Sequence, residues 1–113
     1  MKTDELKELE KLLLTIKANL ESNIERLKYE REAISTSDDI VDLEDEVSFE
    51  AESRNEAALL KQQQHELDEV NHALMKIARG FYGICEATGK PIPLARLRVL
   101  PYARYGIGDE LEG

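Results

Sequence analysis

The first 79 residues contain neither proline nor glycine, and this restricts the fold more than any other feature. Both residues disfavour helix interiors, so nothing in this stretch interrupts a helix before Gly80. Apolar residues also recur every seven positions, with a second set at alternate positions: Leu6, Leu13, Leu20, Leu27 and Ile34, then Leu9 and Ile16. This spacing predicts a first helix from about Asp4 to Ala33 with one apolar face, capped by Thr3.

A second, weaker apolar stripe predicts a second helix that ends near Arg79, with Gly80 after its last turn. The stripe consists of Leu60, Leu67, Leu74, Val70 and Ile77. The polar run KQQQH lies inside it, which predicts some wet layers. Residues 35–38 (STSD) favour caps and turns, so we expect an antiparallel hairpin over residues 1–79 with its tip near 35–47.

Acidic residues are concentrated at this predicted tip. They are Asp38, Asp39, Asp42, Glu44, Asp45 and Glu46. Like charges this close repel one another and do not favour the helix. Two interpretations remain open: a solvated turn, or an acidic probe at the end of a stalk.

The chain changes character after Gly80. Gly83, Gly89, Pro91, Pro93 and Pro101 interrupt an apolar run, and the segment PLARLRVL predicts a short helix that begins near Pro93. We call residues 80–113 the knob. Its predicted core consists of Ile84, Ile92, Leu94, Leu97, Val99, Leu100, Tyr102 and Tyr105.

The stretch GFYGICEATGKPIPLARLRVLPYARY resembles the finger of the DksA/TraR family of bacterial transcription factors that bind RNA polymerase. The matching positions are Tyr82, Gly83, Cys85, Glu86, Gly89, Ile92, Arg96, Leu97, Pro101 and Ala103. The resemblance implies a mainly α-helical fold: a long antiparallel coiled-coil hairpin with a small C-terminal zinc-finger-like knob.

The family's finger holds zinc with two Cys-x-x-Cys pairs, and this chain has a single cysteine. The four metal positions that the resemblance implies are Cys85, Thr88, Gly106 and Asp109. A structural zinc site needs four good nitrogen or sulfur donors. We therefore expect a knob without zinc, with Cys85 as a small buried apolar residue.

The resemblance also implies a function. In the family the hairpin enters the secondary channel of RNA polymerase, and acids at its tip act on promoter complexes. The tip pattern Asp-x-x-Asp-x-Ala falls on Asp42, Asp45 and Val47, where valine replaces alanine. A second frame uses Asp39 and Asp42, with Glu44 in place of the alanine.

Two further expectations concern the knob and the alarmone ppGpp. Arg96, Arg98 and Arg104 are candidate contacts to the polymerase rim; for each, solvation at the surface is the simpler interpretation, and Arg96 is also a candidate to pin the finger by bonds to backbone carbonyls. The family's ppGpp-binding positions on the second helix correspond to Gln62 and Glu69, neither of which is basic. We therefore doubt synergy with ppGpp, a signal of the stringent response, and expect no other cofactor.

Charge and composition exclude several classes of protein. The net charge of −9 disfavours direct nucleic-acid binding. No segment approaches the roughly 20 apolar residues of a membrane span, so we expect a cytoplasmic protein. No nucleophile with a base, phosphate loop or catalytic metal set indicates an enzyme. A monomer is expected, and the alternative is a hairpin that dimerises through its leucine stripe without a direct polymerase role.

Overall fold

The fold is mainly α-helical: two long helices pack antiparallel, and a short third helix follows. The computed structural model describes the backbone of residues 1–36 and 43–107 and the side chains of residues 1–30 and 54–107. The helices are α1 (Thr3–Thr36), α2 (Leu43–Arg79) and α3 (Leu94–Val99). The predicted hairpin is confirmed. Helix α1 begins one residue earlier than expected, because the Leu6 amide already donates to the Lys2 carbonyl at 3.0 Å.

The apolar face of α1 follows the predicted sevenfold set where side chains are described: Leu13, Leu20 and Leu27 are buried and Leu6 is partly buried, whereas the Ile34 side chain lies outside the described residues. In the alternate set, Leu9 is buried and Ile16 is partly buried. Asn23 is the position that the alternate set reaches, but it is only partly buried, and its neighbour Ile24 is 7% exposed. The buried face of α1 therefore includes position 24 instead of position 23, because burial follows the apolar side chain rather than a strict seven-residue repeat.

Over residues 54–79, α2 buries fewer large side chains than α1 does over residues 3–30, as its weaker stripe predicts. Val70 and Ala73 are buried, whereas Leu60, Leu67 and Leu74 are only partly buried. The side-chain oxygens Glu56 Oε2 and Gln63 Oε1 are buried without a hydrogen-bond partner in the part of the chain that the structure describes. Lys76, which the sequence does not mark as a core residue, is only 2% exposed.

The chain divides into two compact units. The first unit comprises Met1–Ala18 and Asp68–Gly113, so it combines the start of α1, the end of α2 and the knob. Leu9, Leu13, Val70 and Ala73 are its buried apolar residues on α1 and α2. The second unit comprises Asn19–Leu67 and buries Leu20, Ile24 and Leu27 of α1.

The knob has a smaller core than the sequence predicts. Over residues 80–107, its buried side chains are Tyr82, Cys85, Ile92, Leu97, Pro101 and Ala103. The prediction that Val99 and Ile84 belong to the core is wrong, because Val99 is 85% exposed and Ile84 is 39% exposed. Helix α3 has only six residues, so only one of its side chains, Leu97, is fully buried. Burial of one such side chain contributes about 1.5–3 kcal/mol, so polar contacts must supply part of the knob's stability.

Candidate functional site

A tight turn forms the centre of the knob, between Gly83 and Ile92. The Cys85 amide donates to the Lys90 carbonyl at 2.8 Å, and the Gly89 amide donates to the Cys85 carbonyl at 2.9 Å. The Ile92 amide then closes the turn on the Gly83 carbonyl at 2.8 Å. Gly83 and Gly89 have φ values of 85° and 74°, in the left-handed region that glycine adopts without a steric penalty. The turn is thus fixed by backbone bonds and two glycines.

The four positions that resemble a metal site do not carry a zinc-binding set. Cys85 is buried, at 2% exposure, whereas Thr88 is exposed and its Oγ1 accepts a bond from the Lys90 amide at 3.3 Å. Gly106 offers no side chain, and Asp109 lies outside the described residues. A hydroxyl already used in a turn is a poor zinc ligand, so these residues do not fit tetrahedral zinc. Within residues 1–30 and 54–107, no three potential ligand side chains come together.

A network of charged side chains lies between α2 and the knob instead. Arg104 donates from Nε to Glu69 Oε2 at 2.6 Å and from Nη2 to Glu69 Oε1 at 2.9 Å. Such two-pronged pairs fix direction as well as distance. The hydrogen bond to Glu69 raises the pKa of Arg104, and the nearby carboxylate charges act in the same sense, so the guanidinium stays charged.

Glu86 is the central acid of this network. Its Oε1 accepts a hydrogen bond from His72 Nε2 at 2.6 Å and lies 3.8 Å from Lys76 Nζ. Its Oε2 lies 3.6 Å from Arg104 Nη1. Partial burial acts to raise the pKa of Glu86, but the hydrogen bond from His72 and the positive charges of Lys76 and Arg104 outweigh burial, so the pKa falls below its ordinary value. Glu86 is therefore an ionised hub.

Lys76 joins the network to the turn. Its Nζ donates to the Ile84 carbonyl at 3.3 Å and lies 6.0 Å from the centre of the Phe81 ring. A buried ammonium needs such partners to offset the loss of hydration. Helix α2 thus contributes Glu69, His72 and Lys76 from one face, because residues three, four and seven apart align on a helix.

Arg96 and Tyr82 fix the second half of the knob. Arg96 Nε donates to the Tyr105 carbonyl at 2.9 Å, so the expectation that Arg96 pins the finger to a backbone carbonyl is confirmed. The Tyr82 hydroxyl donates to the Pro101 carbonyl at 2.6 Å. Burial raises the pKa of Tyr82 to about 12.

The other two arginines differ in exposure. The Arg98 side chain is 54% exposed, and its Nη2 lies 3.4 Å from Glu8 Oε2. The Arg104 side chain is 32% exposed and held by Glu69 and Glu86, so surface solvation does not describe it. Their contact with polymerase stays a prediction.

The predicted tip residues lie largely outside the described part. Asp39 and Asp42 precede α2 in a segment that the structure does not describe. Asp45 and Val47 lie in the first turns of α2, where the backbone alone is described. Their roles stay predictions.

Known proteins show what this arrangement resembles. A family model described as the prokaryotic dksA/traR C4-type zinc finger matches residues 80–107. The solved structure of transcription factor DksA2 from Pseudomonas aeruginosa is 30% identical, covers 99% of this chain and 84% of that chain, and superposes with a TM-score of 0.86. The chain belongs to the DksA/TraR family.

Curated relatives match over shorter stretches. The RNA polymerase-binding transcription factor DksA of Caulobacter vibrioides is 33% identical over 87 residues, which is 74% of this chain and 61% of that protein. General stress protein 16O of Bacillus subtilis is 54% identical over 41 residues, or 36% of this chain and 25% of that protein. The chain thus spans less than two thirds of these relatives' length. The named transcription factors agree with the prediction of a non-enzymatic family member.

The sequence pattern does not reveal this network of charged side chains. The motif includes Glu86 as a family position without giving its partner, and His72 reads as an ordinary helix histidine. The contacts join residues 14 and 35 positions apart, which local periodicity does not reveal. One signal was present: Glu69, His72 and Lys76 share a helical face beside the motif.

Proposed function

We propose that this protein is a transcription regulator that binds RNA polymerase. The observation that carries the proposal is the likeness to DksA2 over 99% of the chain, at 30% identity. The polymerase-binding DksA of Caulobacter supports the choice of partner. Both long helices and the knob are present, so the likeness is not confined to the finger motif.

The finer mechanism follows the family. The hairpin enters the secondary channel of polymerase, and Asp42 and Asp45 act near the catalytic centre on promoter complexes. Residues three apart on a helix share a face, so two such carboxylates reach one target. Val47 replaces the family's alanine, and Asp39 belongs to the alternative frame. The acidic chain is steered toward a basic channel, which raises the association rate more than the final affinity.

The knob docks on the channel rim in this proposal. Arg98 is the arginine most available for an acidic partner, because its side chain is 54% exposed and its ion pair with Glu8 is long, at 3.4 Å. Arg104 and Arg96 already hold internal bonds, so they contribute chiefly by shaping the knob. Charge reversal at Arg98 separates these roles.

The protein acts as a cytoplasmic monomer in this proposal, without direct nucleic-acid binding. Among the described residues, no helix combines the length and apolar character needed to cross a bilayer. Sedimentation distinguishes a free hairpin from a dimer that pairs through its leucine stripe.

The decisive experiment compares binding with promoter effects. Purified chain is tested for co-purification with core RNA polymerase, and open-complex lifetime is measured with the wild type and with Asp42→Asn plus Asp45→Asn. We expect binding within about threefold of wild type and loss of most of the promoter effect, because these acids contact the active centre rather than the rim.

Asp68→Asn is the matched control, since it removes one exposed carboxylate elsewhere on α2. It should leave both readouts unchanged. Full promoter activity of the tip variant would refute the tip assignment, and failure of the wild type to bind polymerase would refute the proposed function itself.

A further inference from the structure

The knob lacks a zinc-binding set but keeps the parts that a metal joins in a C4 finger. The first part is the turn at residues 83–92, and the second is the segment around residues 101–106. A metal in such a finger links two turns through its four ligands. With Cys85 as the single cysteine and Gly106 at a second position, ligand bonds do not make that link here.

Glu86 makes this link with both its backbone and its side chain. Its amide donates to the Arg104 carbonyl at 2.8 Å, and its Oε2 lies 3.6 Å from Arg104 Nη1. One residue beside Cys85 therefore contacts the second segment twice. No covalent or metal bond is needed for the two turns to hold their relative position.

Helix α2 also contacts both the turn and the second segment. His72 Nε2 and Lys76 Nζ contact Glu86 Oε1, and Lys76 Nζ also donates to the Ile84 carbonyl. Glu69 accepts hydrogen bonds from Arg104 Nε and Nη2. We call Glu69, His72, Lys76, Glu86 and Arg104 the charge network. All five belong to the first unit.

We propose that the charge network replaces the metal as the tie that holds the two turns of the knob to each other and to α2. Its formal charges balance without counting His72, because Lys76 and Arg104 face Glu69 and Glu86. The Lys76 side chain is 3% exposed, the Glu69 side chain 18% and the Glu86 side chain 28%. Partly desolvated pairs interact more strongly than fully exposed ones, and breaking one leaves a charge without compensation.

The full chain itself provides a probe for a test. Three of its four tyrosines, Tyr82, Tyr102 and Tyr105, lie in the knob, and the fourth, Tyr29, is 72% exposed in α1. The chain has no tryptophan, so the near-ultraviolet circular dichroism reports mainly on the knob. Its loss on heating gives a melting midpoint for this part of the protein.

The test variant is Glu86→Gln, which keeps shape but removes the central charge. We expect its near-ultraviolet midpoint to fall by about 5–10 °C relative to wild type. The matched control is Glu8→Gln, which removes one half-exposed pair with Arg98 and should shift the midpoint by no more than about 2 °C. Equal shifts in the two variants would refute the proposal.

Metal analysis gives an independent arm. Wild-type protein should carry zinc far below one ion per chain, and a strong chelator should leave its midpoint unchanged. Stoichiometric zinc, or a lower midpoint after chelation, would overturn the proposal. Polymerase binding is not measured, so neither result depends on the proposed function.

A second pair of variants applies if Glu86→Gln does not fold. Arg104→Lys retains the positive charge but cannot form both bonds to Glu69, whereas Arg104→Gln loses the charge as well. A tie made by charges predicts midpoints in the order wild type, Arg104→Lys, Arg104→Gln. The same midpoint for all three proteins would count against the network.

Discussion

At the scale of single residues, the knob depends on polar groups that are buried with a partner. Tyr82 is 9% exposed, and its hydroxyl has a short bond to the Pro101 carbonyl. A phenol in this position resists ionisation, because the phenolate would lose hydration and face the lone pairs of the carbonyl oxygen. The stability of the knob should therefore fall at alkaline pH, where Tyr82 ionises.

The pKa of Tyr82, at about 12 in the folded chain, lies above the value near 10 expected in the unfolded chain. The unfolded chain therefore gives up the proton first. The contribution of Tyr82 to stability is complete below pH 10 and is lost as the pH rises toward 12. The loss is at most about 2–3 kcal/mol. Urea unfolding of the knob at pH 8 and pH 11 measures it.

Tyr82→Phe should be less stable than wild type at pH 8 by about 1 kcal/mol, because one buried hydrogen bond is lost. It should lose less stability than wild type between pH 8 and pH 11. The control is Tyr29→Phe, since Tyr29 is exposed. An unchanged pH dependence in Tyr82→Phe would show that another group titrates.

At the scale of elements, helix ends and helix faces differ in how well the sequence predicts them. The end of α2 at Arg79 and the start of α3 after Pro93 were predicted, because Gly80 and Pro93 act through their own backbone preferences. The exposure of Val99 was not predicted. A six-residue helix makes fewer than two turns. Its apolar pattern is therefore too short to reveal which of its sides faces the rest of the knob.

The same distinction applies to the candidate site. Arg96 was a candidate pin because it matches the family's arginine, although surface solvation was the simpler interpretation. Burial of Lys76 was missed, because a lysine at the end of a helix usually interacts with solvent and the helix dipole. Only the folded structure shows that the Ile84 carbonyl and the Glu86 carboxylate lie beside the Lys76 ammonium.

The register of α1 around Asn23 allows a test with neighbouring residues. Ile24 is 7% exposed in the second unit, whereas Asn23 is partly buried. Ile24→Ala should lower the free energy of unfolding by about 2–4 kcal/mol, because it leaves a cavity. Asn23→Ala should change it by less than about 1 kcal/mol. Far-ultraviolet circular dichroism during urea unfolding gives both values, and equal costs would contradict this register.

At the scale of the whole molecule, the likeness to DksA2 covers 99% of the chain, including both long helices and the knob. The residues at the positions that the family resemblance implies for zinc and ppGpp depart from the family pattern. The family architecture is therefore separable from its zinc ligands. What persists are features that backbone geometry requires, such as Gly83 and Gly89 at positive φ. What changes are the zinc-ligand side chains, whose structural role the charge network takes in our proposal.

The same separation bears on ppGpp, a polyanion whose binding needs basic side chains. The two positions on α2 that the family resemblance implies hold Gln62, which is neutral and exposed, and Glu69, whose carboxylate is committed to Arg104. Under the proposed function, we expect the change in open-complex lifetime caused by this protein to be the same with and without saturating ppGpp. Lifetimes measured without the protein, at each ppGpp level, remove the effect of ppGpp on polymerase alone.

Gln62→Lys supplies a cation at the exposed position and serves as the matched comparison in this assay. If the position faces the nucleotide in the complex, this variant should gain a ppGpp response that the wild type does not show, because one added cation strengthens polyanion binding by about 1 kcal/mol or more. A several-fold ppGpp response in the wild-type protein would contradict the prediction, since the nucleotide would then bind without either α2 position providing a positive charge.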